Sequence, residues 1–413
     1  MFLIDKSNIT DYLKMHMPYL DYSKPLIISE IGDGNENEDG DGYLNFVFRV
    51  SDGNYKLIVK QSREHGRIAS FLTLPVDRGE QEYESMRIRS AIVPEYIPKL
   101  YFCDKENHVF VTEDVSHMHI LRFGLNQNII FPKLAKQLGE YLAKTHFYTS
   151  EYYLDTKTFR DMTIHFMNHS MRNIFDNFHF ITKTEDHPAT GSDLDARYAS
   201  YVLELLLDPQ VQVERHKLHQ KYIGQGQTFI HGDFHTSNVF IDQEDMKVID
   251  MEYTFCGPFA YDVGYMQSHL LSQYLSANFR LFSSEEERKE FKDYMLSSLR
   301  EVYEEYCNCF FDCWNKDAKD FYRAVPLLQE SVRMDLLHDT TAFCANSNLS
   351  RTTGDIGYPE YDMIDDPAQQ AHAICMSVVA DVNILKNHQS YQSIDDFIND
   401  ILATEKEYMS HFD

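Results

Sequence analysis

The chain has 413 residues, 43% of them hydrophobic and 14% aromatic, which supplies packed cores and excludes an intrinsically disordered chain. That length favours two lobes over one small core. A formal net charge of −27 argues against nucleic acid or an anionic membrane as main partner, and no apolar run is long enough for a transmembrane helix.

In chain order, the start MFLIDKSNITDYL carries charge too early for a secretory signal, so a cytoplasmic location is expected. Residues 8–20 read as a short amphipathic helix and 26–31 as a strand. A loop rich in Gly, Asp and Asn follows over 32–42. Residues 43–50 alternate as a strand, Asp52-Gly53-Asn54 signals a hairpin, and 55–60 returns as a strand ending in Lys60. A charged helical pattern over 76–91 contains Glu80, Glu82 and Glu84. Strands over 97–104 and 108–113 complete a small antiparallel sheet that ends near residue 115. From residue 132 the pattern turns helical, with further helices over 158–178 and 193–222. Short apolar strands occupy 228–254, and 260–413 is almost wholly helical apart from a loop at 345–368. Cys307, Cys309 and Cys313 cluster in an aromatic helical stretch. They lack the paired spacing and His partners of a zinc site and are expected as buried free thiols.

The most informative stretch is His231-Gly232-Asp233-Phe234-His235-Thr236-Ser237-Asn238, followed after a turn by Asp250-Met251-Glu252. Phosphoryl transfer depends on positioning and on neutralising spread negative charge. This pattern supplies both. Asp233 stands where a catalytic loop carries the acceptor of the substrate hydroxyl proton, and Asn238, Asp250 and Glu252 offer oxygens to magnesium. On the nucleotide side, a Gly-rich loop can drape its N–H groups over phosphates. Lys60 ends an apolar strand and must snorkel or meet an anion, with Glu82 as its candidate partner and Glu84 second. Glu113 to Val115 ends the sheet where the backbone of an adenine-binding hinge belongs. The expected architecture is α+β: a protein-kinase-like bilobal fold with an ATP-binding lobe over 1–115 and a catalytic and acceptor-binding lobe over 116–413.

Longer segments carry a family resemblance. They are Asp41 to Val50, Leu57 to Gln61, Val76-Asp77-Arg78, Val93 to Lys99, Glu113 to Ser116, Leu121 to Leu125, Leu142 to Ser150 and Glu252 to Gly264. Together with the catalytic stretch they resemble the methylthioribose kinase family, within the aminoglycoside phosphotransferase and choline kinase superfamily. The resemblance implies ATP and Mg2+, and phosphorylation of the anomeric 1-hydroxyl of methylthioribose in methionine salvage, by a homodimer. It assigns Asp233 as base, Asp250 and Glu252 as metal ligands, Asn238 as the wider superfamily's metal ligand, and Lys60 as a phosphate holder. The family's glycine loop occurs twice, at Gly32-Asp33-Gly34-Asn35 and at Gly40-Asp41-Gly42-Tyr43-Leu44-Asn45. The second copy makes Gly40, Gly42 and Asn45 candidates for ATP binding. Val332-Arg333-Met334 is the nearest match to the family's tandem arginine pair: Arg333 is carried over to the substrate, Met334 replaces the other arginine, and Arg351 is available as another basic residue. Another sugar or amino alcohol as acceptor, or a non-catalytic nucleotide-binding role, are the alternatives.

Overall fold

The structure is a computed structural model that describes residues 1–31, 44–67, 73–180, 196–354 and 357–411. The glycine loop, including Gly40 and Gly42, lies outside the described residues. The chain forms two compact units. The first holds Met1–Phe123, Asn168–Met171 and Ser237–Thr254; the second holds Gly124–Met167, Arg172–Thr236 and Phe255–Asp413.

The first unit opens with α1 (Ile9–His16), β1 (Ile27–Glu30), β2 (Phe46–Ser51), β3 (Lys56–Gln61), α2 (Arg78–Ile92), β4 (Leu100–Asp104) and β5 (Val109–Glu113). The strands form an antiparallel sheet in the order β1-β2-β3-β5-β4. The hairpin between β2 and β3 closes because Asp52 Oδ1 accepts the N–H groups of Asn54 (2.8 Å) and Tyr55 (2.6 Å). Alternation puts Phe48, Val50, Leu57, Val59, Val109 and Val111 into one core with Ile9 and Leu13 of α1. The next residue along β3, Lys60, is paired in register with Val47 and Phe110 and is also buried, so its charge must be met inside the protein.

After β6 (His119–Ile120), α3 (Leu121–Asn126) leads to α4 (Leu134–Tyr148). The helix expected over 158–178 is two helices, α5 (Thr156–His165) and α6 (His169–His179). The break is made by Asn168, which sits at φ +46° and donates its amide to the backbone carbonyls of Glu252 (2.8 Å) and Thr254 (3.0 Å). Asn tolerates that left-handed conformation better than most residues. The helix expected over 193–222 is also two, α7 (Ala196–Leu206) and α8 (Pro209–Gly224). Pro209 cannot continue a helix but starts one well, and Asp208 caps Gln210 (2.8 Å) and Val211 (3.3 Å).

The chain continues through β7 (Thr228–Ile230), β8 (Val239–Ile241), β9 (Met246–Val248) and β10 (Phe255–Gly257). In the first unit β6, β8 and β9 form a three-stranded antiparallel sheet. In the second, β7 pairs antiparallel with β10. Asp242 Oδ1 closes the β8–β9 turn on the N–H groups of Glu244 and Asp245, both at 2.8 Å.

The second unit ends with α9 (Phe259–Ser276), α10 (Glu285–Asp317), α11 (Asp320–Arg323), α12 (Leu328–Thr353), α13 (Pro359–Asp362), α14 (Pro367–Asn387) and α15 (Ile394–Ser410). The loop expected over 345–368 therefore starts only after Thr353. Asn346, Ser347, Asn348 and Ser350 read as turn residues, yet they are buried on α12. The fold satisfies this polarity internally: Asn348 donates to Ser377 (2.8 Å) and Asp381 (3.0 Å), and Asn346 accepts from Arg215 (3.1 Å). None of the seven cysteines is in a disulfide. No helix among the described residues is long and apolar enough to cross a membrane.

Candidate active site

In the first unit, the turn after β9 brings Asp250 and Glu252 to the residues of β3 and α2. The Lys60 ammonium is bound by Glu82 Oε2 (2.7 Å) and by Asp250 Oδ1. Glu84, the second candidate, instead takes Lys105 at 3.1 Å. Glu252 is met by the Arg78 guanidinium (3.1 Å) and the Asn45 amide (2.9 Å), and Arg78 donates to Asn45 Oδ1 at 2.9 Å. Asn45 thus orients a carboxylate. Arg78, whose side chain is fully buried, is a site residue that sequence reasoning missed. The advance signals were the place of Arg78 at the start of a charged helix and its presence in Val76-Asp77-Arg78, one of the segments that carry the resemblance.

Glu82, Asp250 and Glu252 offer carboxylate oxygens within 4.8 Å of one another. Burial pushes the Glu82 carboxyl up to about 8, against the pull of Lys60. Burial and the Asp250 charge also raise Glu252, against Lys60 and Arg78. Burial opposes the Lys60 charge too, but Asp250, Glu82 and Glu252 outweigh it and hold the ammonium above the ordinary lysine value. Three carboxylates face two cations here, Lys60 and Arg78, so the ammonium keeps its charge and the carboxyls take the shift toward the neutral form. Asp250 sits at φ +63°, strained for a residue with a side chain, and its carboxylate is the more exposed member at 31%. Asn238 is buried just ahead of β8, and its backbone carbonyl accepts the Ile249 N–H at 3.0 Å.

In the second unit, Asp262 in the first turn of α9 builds the loop that presents Asp233. Its carboxylate accepts the N–H groups of His231 (2.6 Å) and Gly232 (3.0 Å) and contacts His146 Nε2 at 3.3 Å. Burial works against the Asp262 charge, but His146 and His231 hold its carboxyl below the ordinary aspartate value. Gly232 turns at φ +85°, where a Cβ would be strained. Asp233 follows, 9% exposed, with its carboxylate 3.4 Å from His235 Nε2. The Tyr265 hydroxyl is hydrogen-bonded to Asp233 and accepts from Arg351 Nε (3.1 Å) and Nη2 (2.7 Å). Burial would raise the Asp233 carboxyl, but His235 and then Arg351 hold it down at about 2. Asp262 and Tyr265 were not singled out as site residues from the sequence, because an Asp opening a helix reads as a helix-terminus charge.

Arg333, expected at the substrate, lies 4.3 Å over the Phe311 ring on α10, while Arg351 is the arginine in the Asp233 network. At the end of the sheet, Glu113 Oε2 accepts the Lys99 N–H (3.2 Å) and Val115 is buried.

A family model for the phosphotransferase enzyme family (APH) matches residues 37–291. A methylthioribose kinase from Geobacillus sp. (strain WCH70) is 30% identical over 352 residues, covering 84% of this chain and 83% of that protein. One from Geobacillus kaustophilus (strain HTA426) is 30% identical over 333 residues, covering 80% of this chain and 79% of that protein. Among solved structures, a choline kinase from Cryptosporidium parvum Iowa II matches with a TM-score of 0.50 at 13% identity, covering 96% of this chain and 100% of that one; this likeness is one of fold.

Proposed function

Because the chain belongs to the phosphotransferase enzyme family and to the methylthioribose kinase family, we propose that it transfers the terminal phosphoryl group of ATP to the 1-hydroxyl of 5-methylthioribose. The observation that carries this reading is the 30% identity to a methylthioribose kinase along 84% of the chain. We extend the proposal, on the family resemblance of the sequence alone, to a place in methionine salvage, a cytoplasmic location and a homodimer.

The residue roles follow from the chemistry. Lys60 holds ATP phosphates and Glu82 orients it. Glu113 to Val115 face the base through their backbone. Hard carboxylate oxygens suit magnesium, and three carboxylates against the two cations Lys60 and Arg78 leave oxygens for a divalent cation to take. Asp250 and Glu252 would hold it, with Asn238 as a further donor; bound there, it offsets charge on the phosphate oxygens. Arg78 and Asn45 fix Glu252 in place.

Asp233 accepts the proton of the sugar hydroxyl. A carboxyl held at about 2 is a weak base, so it orients the hydroxyl first and takes the proton only as the new P–O bond forms. His235 and the Tyr265–Arg351 pair keep it ionised and aimed. With Arg351 in that network, Arg351 rather than Arg333 serves the acceptor.

The test is ADP release with magnesium and ATP against an acceptor panel headed by methylthioribose, with Asp233→Asn as control. Turnover on methylthioribose should appear in the parent and fall by at least about a thousandfold in the variant, with nucleotide affinity kept. Silence on methylthioribose with turnover of another sugar or amino alcohol would overturn the acceptor. Near-normal turnover by Asp233→Asn would overturn the mechanism.

A further inference from the structure

On α8, Arg215 is a cation that the fold holds still and leaves unmatched. Its Nε donates to Asn346 Oδ1 (3.1 Å), and its Nη2 to Ser350 Oγ and the His179 carbonyl (3.4 Å each). Asn346, Ser350 and His179 are buried, and they are tied to one another. Asn346 (3.3 Å) and Ser350 (2.8 Å) also donate to the His179 carbonyl. All the acceptors are neutral. Among the described residues no carboxylate pairs with Arg215, and burial alone pushes it down to about 10. Its Nη1 makes no hydrogen bond among the described residues and is not one of the buried atoms. A guanidinium carries five donors in a rigid fork. Here one side of the fork fixes the residue and the other is left for a ligand.

A second such guanidinium follows Ser350 directly on α12. Arg351 spends Nε and Nη2 on the Tyr265 hydroxyl and lies over the rings of Tyr265 (5.6 Å) and Tyr358 (5.7 Å). Its Nη1 also makes no hydrogen bond among the described residues. Within the second unit, one run of contacts joins both arginines to the Asp233 loop. The His179 ring lies edge-on to Tyr265 at 5.2 Å, Tyr265 lies edge-on to His235 at 6.1 Å, and His235 is 3.4 Å from the Asp233 carboxylate. The His179 imidazole responds to all of these charges. Burial and then Arg351 hold it down at about 3, Asp233 opposes, and Arg215 and His235 assist.

We propose that Arg215 is a specificity-determining residue of the acceptor site: with Arg351 it holds hydroxyl oxygens of a neutral polyol whose reacting hydroxyl lies on Asp233. This rests on Asp233 being the residue that orients the acceptor hydroxyl. A guanidinium donates and never accepts, so it selects oxygens with lone pairs to offer. Fixed in advance by three acceptors, Arg215 loses little rotamer freedom when it binds them. The same two positive charges repel an ammonium or trimethylammonium group. The acceptor class is therefore a sugar or polyol and not an amino alcohol.

The experiment measures ADP release with magnesium and ATP, and equilibrium binding by calorimetry, for the full chain with methylthioribose, ribose and choline. Arg215→Met keeps an apolar stem and removes every donor. It should raise KM and Kd for the sugar at least about tenfold, as loss of a hydrogen bond from a charged group does, while kcat and KM for ATP change less than about twofold. Arg215→Lys keeps the charge and loses the fork, so it should raise them less, and it stands in where the Met variant does not fold. Lys217→Met removes an exposed charge of the same helix and should leave KM and Kd at parent values. Choline should be neither bound nor phosphorylated. Parent KM and Kd for the sugar in Arg215→Met would overturn the proposal, and a lowered unfolding midpoint beside them would make Arg215 a structural tie. Turnover of choline in preference to the sugars, or no binding of either sugar, would overturn it too. Turnover of ribose but not methylthioribose, with the Arg215 dependence kept, would overturn methylthioribose as acceptor and support Arg215 in this role.

Discussion

Asp233 is aspartate in name and a much stronger acid in practice, because His235, Arg351 and His231 surround its carboxylate. That gap has a stability consequence with a definite sign. The folded value is depressed from 3.8 to about 2, so the stabilisation is complete above the unfolded value and is lost as pH falls through the folded one. It amounts to roughly 2 kcal/mol. Urea unfolding between about pH 5 and about pH 2 should show this component in the parent chain and lack it in Asp233→Asn. Arg78 makes a second residue-scale prediction. Its guanidinium meets Glu252, Asn45 and the carbonyls of Arg63 and Pro75, all with no solvent to replace it. Arg78→Met should cost roughly 3–5 kcal/mol in urea unfolding by leaving Glu252 buried and uncompensated. The magnesium concentration needed for half-maximal turnover should also rise. A variant with parent stability and parent magnesium dependence would remove Arg78 from the site.

At the scale of elements, breaks and contacts matter more than helix propensity. Asn168 ends α5 because its amide has two carbonyls to serve, and Pro209 separates α7 from α8 because it has no N–H to give. The sequence carries the second signal openly, and hides the first, since Asn168 answers to Glu252 and Thr254 far along the chain. The crossing of α9 and α12 is set by Gly264. A Cβ there would lie 2.6 Å from the Thr340 carbonyl oxygen, 2.8 Å from Phe343 Cβ and 2.9 Å from the Cys344 nitrogen. Backbone cannot step aside as a flexible side chain can, so Gly264→Ala should destabilise by roughly 1–3 kcal/mol despite its gain in helix propensity. Thermal unfolding of the variant checks this, and an unchanged midpoint would mean that the helices part freely. Because α9 also carries Asp262 and Tyr265, the same variant should lower turnover.

At the scale of the whole molecule, the formal charge of −27 is the dominant fact. Like charges destabilise a compact state, and salt screens them over a Debye length of about 8–10 Å. The unfolding midpoint should therefore rise as sodium chloride goes from about 0.01 M to about 0.15 M. A fall would mean that ion pairs such as Lys292–Glu405 and Arg300–Asp395 outweigh the net repulsion. The charges are not uniform in their effect: around Lys60 three carboxylates and two cations lie close together and buried, where screening by salt is weak.

Taken by itself, the sequence determined the fold class and the family, and it marked Lys60, Glu82, Asp233, Asn238, Asp250 and Glu252 as candidates for the chemistry. These were legible because strand alternation, loop chemistry and motif spacing are local, and each leaves its period or interval in the chain. Only the tertiary structure decided who partners whom. It chose Glu82, already the first candidate, over Glu84 for Lys60, turned Glu84 to Lys105, and set Arg78 on Glu252. It also placed Asp262 under the Asp233 loop, set Arg351 in the Asp233 network and laid Arg333, expected at the substrate, over the Phe311 ring. The physical reason is that a buried charge must be met by whatever the fold brings within a few ångströms, and separation along the chain carries no trace of that neighbour. The long α12 makes the same point: Asn346, Asn348 and Ser350 look like a loop until buried partners on other elements take up their hydrogen bonds.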